Sequence, residues 1–261
     1  MIRAAAFDLD GVVYEGDTVI KGAVETINAL KTRGIDVYFV TNNSGKKRAS
    51  IATKLKKMGI ESAVDSIITS GYAAAFLVNS ICNTHEDRIL VLGSEDLEEE
   101  FASFGRKVVR KLPADVLVVG FDKSFNYERL SLGLSALNQG AIFAACNRDR
   151  VFPVEGNQVL PGCGAIVAAL EWASGREADY VAGKPNTIML ELISRERGFK
   201  PHEILVVGDM LESDIAMANQ FGCPSVLVMR NDLQDSARAE IFPKYHINSV
   251  EMLLHIINWD S

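Results

Sequence analysis

A chain of 261 residues, 48% hydrophobic and 23% charged, has the composition of a folded globular protein and enough length for one large domain or two modest ones. Its formal net charge of −7 argues against nucleic acid or an anionic membrane as partner, since both require a basic face, but leaves room for a small anionic substrate met by local positive charge. Four cysteines (Cys82, Cys146, Cys163 and Cys223) show neither metal-ligand spacing nor a Cys-x-x-Cys pair, and no run of about 18 apolar residues or signal-type leader is present. Free thiols in the cytoplasm are therefore the expectation.

The elements follow in alternation. Residues 4–8 are a short apolar run. Residues 22–33 place Val24, Ile27 and Leu30 on one helical face, with Gly34 suited to the helix end. "IDVYFVT" (35–41) is β-branched and aromatic and predicts a buried strand. Ser44 is placed to cap a helix carrying Ile51, Leu55 and Met58, which Gly59 stops. "SIIT" (66–69) predicts a strand and is followed by an Ala-rich helix to Cys82. Strands are expected at 88–93, 115–120 and 141–146, with helices near 94–104, 126–138 and 164–175. The last third predicts a strand at 204–209, a helix to Phe221, and strands at 224–229 and near 244–247. Strict alternation of strand and helix means an α/β fold: a parallel sheet with helices on both faces. The chain is long for one such sheet, so an inserted α/β domain in the middle is expected.

Four short stretches carry candidate chemistry. Asp8 and Asp10 close the first strand, with Gly11 permitting a tight turn. Sixteen aspartates make one Asp-x-Asp expected by chance, so the pair alone reads equally as an acidic turn or as a site. Thr41, Asn42, Asn43 and Ser44 follow another strand and precede a helix, where hydroxyls, amides and backbone N–H groups can cradle an anion or simply cap. Lys184 sits between Gly183 and Pro185. Asp209 ends a third strand, and Asp214 lies five residues beyond it. A parallel sheet brings the carboxyl ends of its strands to one edge, where ligands of such folds bind. That edge would gather carboxylates that repel one another, and a hard divalent cation, Mg²⁺ above all, relieves the repulsion. Mg²⁺ with a nearby lysine and threonine is what a phosphoryl group needs. The histidines (His85, His202, His246 and His255) have no zinc spacing, and neither a Gly-x-Gly-x-x-Gly nor a Gly-x-Ser-x-Gly motif is present.

"DLDGVVY", "TNNSGKKR", "GKPN" and "GDMLESDIAMA" together resemble the four ordered motifs of the haloacid dehalogenase superfamily phosphatases. The spacing and long middle insertion are similar to the NagD-like subgroup, which includes 4-nitrophenyl and pyridoxal phosphatases. "VVGFDKSFNYERL" and "PGCGAIVAALEWASG" resemble that subgroup's cap. The resemblance implies a Rossmann-like core from residues 1–83 and 179–261 and an α/β cap from 84–178. It implies Asp8 as nucleophile, forming an aspartyl-phosphate, and Asp10 as general acid and then base. It further implies Mg²⁺ held by Asp8, the Asp10 carbonyl and Asp209, phosphate held by Thr41, Asn42 and Asn43, and Lys184 offsetting charge with support from Asp214. The substrate would be a small phosphorylated metabolite; sugar phosphates, nucleotide monophosphates, pyridoxal phosphate and phosphoglycolate all stay open, as does a homo-oligomer formed through the cap. The alternative is a catalytically silent phosphate-ligand binder on the same fold. Ser213 stands where the subgroup often has threonine. In "CNRDRVFP", Cys146 and Arg148 stand where threonine and proline are frequent. Arg148 or Arg150, in this loop, is a candidate for favouring substrates with a second negative charge.

Overall fold

The structure is a computed structural model and describes residues 1–82, 84–154, 158–229 and 241–257. It has two compact units. The first comprises Met1–Thr41, Ala49–Ile68 and Lys184–Ser261, the second Asn42–Arg48 and Thr69–Gly183.

The first unit is built on a six-stranded sheet. Its order is Tyr245–Ile247, Ser225–Val228, Ile204–Gly208, Ala4–Phe7, Asp36–Thr41 and Ile67–Thr69. Pairing is parallel where Ala4–Phe7 meets both neighbours, with Phe7 opposite Val207 on one side and Phe39 on the other. The central strands are buried along their whole length, which explains why their sequences are continuous apolar runs rather than alternating ones. Phe7, Leu9, Ile27, Leu30, Phe39 and Leu55 are completely buried in one core. Each such side chain contributes roughly 1.5–3 kcal/mol by leaving water. The helix Ala23–Thr32 ends where expected, with Gly34 at a φ of 77°.

The second unit is also α/β. Its five-stranded sheet runs Tyr180–Val181, Ile142–Ala145, Val116–Val119, Arg88–Leu92 and Lys107–Val109, with every pair parallel. Helices Ser70–Ile81, Glu95–Ser103, Tyr127–Asn138 and Cys163–Ser174 belong to it. Local chemistry sets their starts. Thr69, Ser94 and Asn126 each accept a first-turn backbone N–H, and Glu95, Asp96 and Glu98 place negative charge at one helix N-terminus. By its packing, the Ser70–Ile81 helix goes with Glu95–Ser103 of this unit.

The structure corrects one cap. The helix that Ser44 was expected to start begins at Arg48, and the Ser44 hydroxyl instead accepts the backbone N–H of Phe121 at 2.9 Å. Sequence reading also leaves out the helix Ile188–Arg197, the antiparallel pairs Tyr14–Glu15 with Thr18–Val19 and Val151–Val154 with Gln158–Pro161, and the short strands Lys107–Val109 and Tyr180–Val181. Two-residue strands carry no periodicity to read. Among the described residues, no helix is long and apolar enough to cross a membrane.

One charged contact fixes register in the second sheet. Asp115 accepts from Arg88 three times, from its backbone N–H at 2.8 Å, Nε at 2.9 Å and a terminal nitrogen at 2.8 Å. These hydrogen bonds lower the Asp115 pKa to about 2. A depressed carboxylate contributes stability that is present above its unfolded pKa and lost as pH falls through the folded one. Because the pair is solvent-exposed, its worth is about 0.5–1 kcal/mol. Asp115→Asn is therefore expected to lower thermal stability at neutral pH by that amount. The gap to the parent should close between about pH 4 and pH 2. A gap that persists at pH 2 would show that the substitution acts through packing instead.

Candidate active site

Three adjacent strands of the first unit place the predicted residues at one edge. Asp8 follows Ala4–Phe7, Thr41 ends Asp36–Thr41, and Asp209 follows Ile204–Gly208. The chain leaves the central strand toward Asp36–Thr41 and returns on its opposite side with Ile204–Gly208. This is a topological switch point, where a doubly wound sheet opens a crevice for ligands. The Asp8 backbone N–H donates to the Val207 carbonyl at 2.8 Å, which continues the ladder past the strand end. Asp10 then enters a tight turn in which the Leu9 carbonyl accepts from Val13 at 2.9 Å and Tyr14 at 3.1 Å, with Gly11 at a φ of 92°. Asp10 keeps more exposure than Asp8, which is 9% exposed.

Lys184 reaches this edge. Its ammonium donates to Asp8 Oδ1 at 2.6 Å and to Asp214 Oδ1 at 2.7 Å, and it lies 3.4 Å from the Val40 carbonyl. Lys184 is 5% exposed and Asp214 2%. Burial by itself would lower the lysine's pKa, but Asp214 and Asp8 outweigh it and hold the ammonium charged. For Asp8 burial is the largest effect and raises its pKa; Lys184 opposes this, while Asp214 and Asp209 add to it.

Local backbone chemistry lets Asp214 take its place. It sits in a wide π-helical turn, Leu211–Ile215, where the Met210 carbonyl accepts from Asp214 at 3.0 Å and Ile215 at 3.3 Å. Its second carboxylate oxygen accepts the Met210 backbone N–H at 3.2 Å. The side chain lies directly over Gly208, where a Cβ would fall 2.2 Å from Asp214 Cβ. Only glycine fits there, a role the sequence signalled merely as a strand-end glycine.

Carboxylate oxygens of Asp8, Asp209 and Asp214 lie within 4.8 Å of one another. Lys184 offsets one of the three negative charges, leaving two for a divalent cation. The donors are oxygen only, as Mg²⁺ prefers. Because Asp214 is committed to Lys184 and Met210, Asp8 and Asp209 are the carboxylates suited to hold the ion, so the donor set fits it.

The remaining predicted residues divide between the units. Thr41 is buried at its strand end. Asn42 and Asn43 belong to the second unit. Asn43 Oδ1 accepts the backbone N–H groups of Gly45 at 2.9 Å and Lys46 at 3.0 Å, which shapes the loop. Asn42 Nδ2 donates to Asp149 Oδ1 at 2.9 Å. Arg148 forms a two-pronged pair with Glu171, at 3.1 and 2.5 Å, so its guanidinium is already matched within its own unit. Arg150 is exposed. Sequence reasoning missed Tyr14, whose phenol is pushed upward in pKa first by burial and then by Asp10 and Asp8. It also noticed Asp149 only as the residue between two arginines.

Comparison with known proteins shows the family. A family model described as haloacid dehalogenase-like hydrolase matches residues 5–107, and a second, HAD-hydrolase-like model matches residues 181–253. Phosphoglycolate phosphatase 1A from Arabidopsis thaliana is 32% identical, over 97% of this chain and 76% of its own length. A p-nitrophenyl phosphatase from Archaeoglobus fulgidus superposes with a TM-score of 0.91 at 32% identity, covering 98% of this chain and 99% of that one. A glycerol phosphate phosphatase from Mycobacterium tuberculosis, solved in complex with magnesium, has a TM-score of 0.88 at 32% identity, covering 97% of this chain and 76% of that one. The ordered motifs, the sheet-edge site and these likenesses converge: the chain belongs to the haloacid dehalogenase-like hydrolases, among their NagD-like phosphatases.

Proposed function

We propose that this protein is a Mg²⁺-dependent phosphatase that hydrolyses small phosphomonoesters through an aspartyl-phosphate on Asp8. The observation that carries this reading is the Lys184 ammonium bonded to both Asp8 and Asp214, with Asp209 in the same carboxylate cluster. A phosphate binder has no need of a nucleophile held in this way, nor of a second carboxylate two residues on. The relatives' names, phosphoglycolate, 4-nitrophenyl and glycerol phosphate phosphatase, support a small phosphorylated metabolite as substrate.

In this reading one Asp8 oxygen attacks phosphorus as the bond to the leaving oxygen breaks. Asp10 gives its proton to that oxygen. Asp10 then takes a proton from water, which attacks the phosphorus of the aspartyl-phosphate and releases inorganic phosphate and free Asp8. Lys184 orients Asp8 through Oδ1 and offsets charge on the phosphoryl oxygens. Thr41, Asn42 and Asn43 supply hydrogen-bond donors to those oxygens. Asp8, the Asp10 carbonyl and Asp209 would hold Mg²⁺, which when bound neutralises charge developing on the transferring group. Asp10, the more exposed carboxyl of the two, can exchange its proton with solvent. Residues 1–83 and 179–261 carry the chemistry, and 84–178 select the leaving group. With Arg148 matched by Glu171, recognition of a second negative charge on the substrate falls to Arg150. The four cysteines are free thiols, in keeping with the cytoplasm as its compartment.

Phosphate release from 4-nitrophenyl phosphate tests the mechanism. Turnover is expected to stop in EDTA and return with Mg²⁺. Asp8→Asn is expected to remove it, and Asp10→Asn to lower kcat by about 10²–10⁴-fold. An Asp8→Asn variant as active as the parent would exclude Asp8 as nucleophile. Stability gives a separate check on the lysine. Lys184→Met leaves Asp8 and Asp214 buried without their cation, which is expected to cost about 3–5 kcal/mol in urea unfolding. A loss below about 1 kcal/mol would mean that the ammonium is not what holds the cluster together.

A further inference from the structure

The second unit contains a built support for Asn42. The strand Ile142–Ala145 runs on into Asn147–Arg150, and this segment is closely held. Gly164 N–H donates to the Asp149 carbonyl at 2.9 Å, and Gly162 N–H to the Arg150 carbonyl at 3.0 Å. A Cβ at Gly162 would meet the Asp149 carbonyl oxygen at 2.3 Å, and one at Gly164 the Arg148 carbonyl oxygen at 2.4 Å. The pair between Arg148 and Glu171 ties the same segment to the helix Cys163–Ser174.

From this platform two side chains grip Asn42. Asn147, 2% exposed, donates to the Asn42 backbone carbonyl at 2.6 Å and to Ser70 Oγ at 3.2 Å, while its own Oδ1 accepts the Asp149 backbone N–H at 3.0 Å. The Ser70 hydroxyl donates to the same Asn42 carbonyl at 2.7 Å. Asp149 then accepts from Asn42 Nδ2. A carboxylate accepts and does not donate, so it fixes which end of the amide faces it. The amide oxygen turns toward Gly183, where a Cβ would lie 2.6 Å away. Asn42 thus has its backbone carbonyl pinned by Asn147 and Ser70 and its amide orientation set by Asp149.

We propose that Asn147 and Asp149 are positioning residues that orient the Asn42 amide for the phosphoryl group. This rests on the reading of Asn42 as a phosphate-binding residue. Binding contributed through Asn42 is shared by substrate and inorganic phosphate, so its loss shows in KM more than in kcat.

A double-mutant cycle on Asn42→Ala and Asp149→Ala tests it. KM and kcat for 4-nitrophenyl phosphate, the affinity for inorganic phosphate by calorimetry and Tm are read together. Asp149→Ala is expected to raise KM and weaken phosphate binding by the same factor, about tenfold, with a smaller change in kcat. Asp149→Asn, whose Oδ1 can still accept from Asn42, is expected to restore most of the loss. In the Asn42→Ala background the Asp149 substitution should change KM by less than about twofold. Additive effects in the double variant, or unchanged phosphate affinity in Asp149→Ala, would overturn the proposal. If the alanine variant does not fold, Asp149→Ser, too short to reach Asn42, takes its place in the cycle. A parent that binds phosphate but releases none from the ester counts against the phosphatase reading, and the calorimetric cycle still decides the positioning.

Discussion

The arrangement turns on one buried ammonium. Lys184 sits between Asp8 and Asp214 with contacts of 2.6 and 2.7 Å, in a place where none of the three charges has much water. Desolvation of each charge costs several kcal/mol, which contact with an opposite charge offsets. The contact holds the Asp8 carboxyl in one position, with one of its oxygens already bonded. The lysine comes from a segment 176 residues along the chain from Asp8. The contact therefore also closes the discontinuous first unit, whose last piece begins at Lys184 itself.

Several backbone features become intelligible from that contact. Gly208 has no side chain because the Asp214 carboxylate occupies the space a Cβ would take. The π-helical turn at Leu211–Ile215 allows Asp214 to double back on the strand end, at the expense of ordinary helical hydrogen bonding. The Asp8–Asp10 turn is tied by the Leu9 carbonyl, so two carboxyls that are neighbours in sequence experience different surroundings. Asp8 is buried and bonded to Lys184, whereas Asp10 keeps more exposure. In the second unit the same economy recurs, with Gly162, Gly164 and Gly183 giving way to backbone and amide oxygens around Asn42 and Asp149.

Much of this was legible beforehand, for identifiable reasons. Buried parallel strands must be apolar throughout, so "AAAF", "DVYFVT" and "ILVVG" announce themselves, and the residues immediately after them lie at the functional edge. Helices with a polar cap and a stop glycine were equally plain. Ser44 misled because a serine before a helix is a good cap in isolation, whereas here the Phe121 N–H claims its hydroxyl from 77 residues away. The partner of Arg148 was likewise not legible: its guanidinium pairs with Glu171, 23 residues along the chain. The helix Ile188–Arg197 carries four charged residues among its ten, and that obscured its buried face of Met189, Leu190 and Ile193.

The sequence by itself determined the α/β alternation, the strand ends that carry Asp8, Thr41 and Asp209, and the motif order that identifies the family. These depend on spacing along the chain, which periodicity and backbone geometry express locally. Only the tertiary structure decided which groups would be neighbours. It set Lys184 between two particular carboxylates, turned Asp214 over Gly208, matched Arg148 to Glu171 and brought Asp149 to Asn42. Each of those pairs joins side chains whose hydrogen-bonding preference is general but whose partner is chosen by the meeting of strands and turns that are remote in sequence.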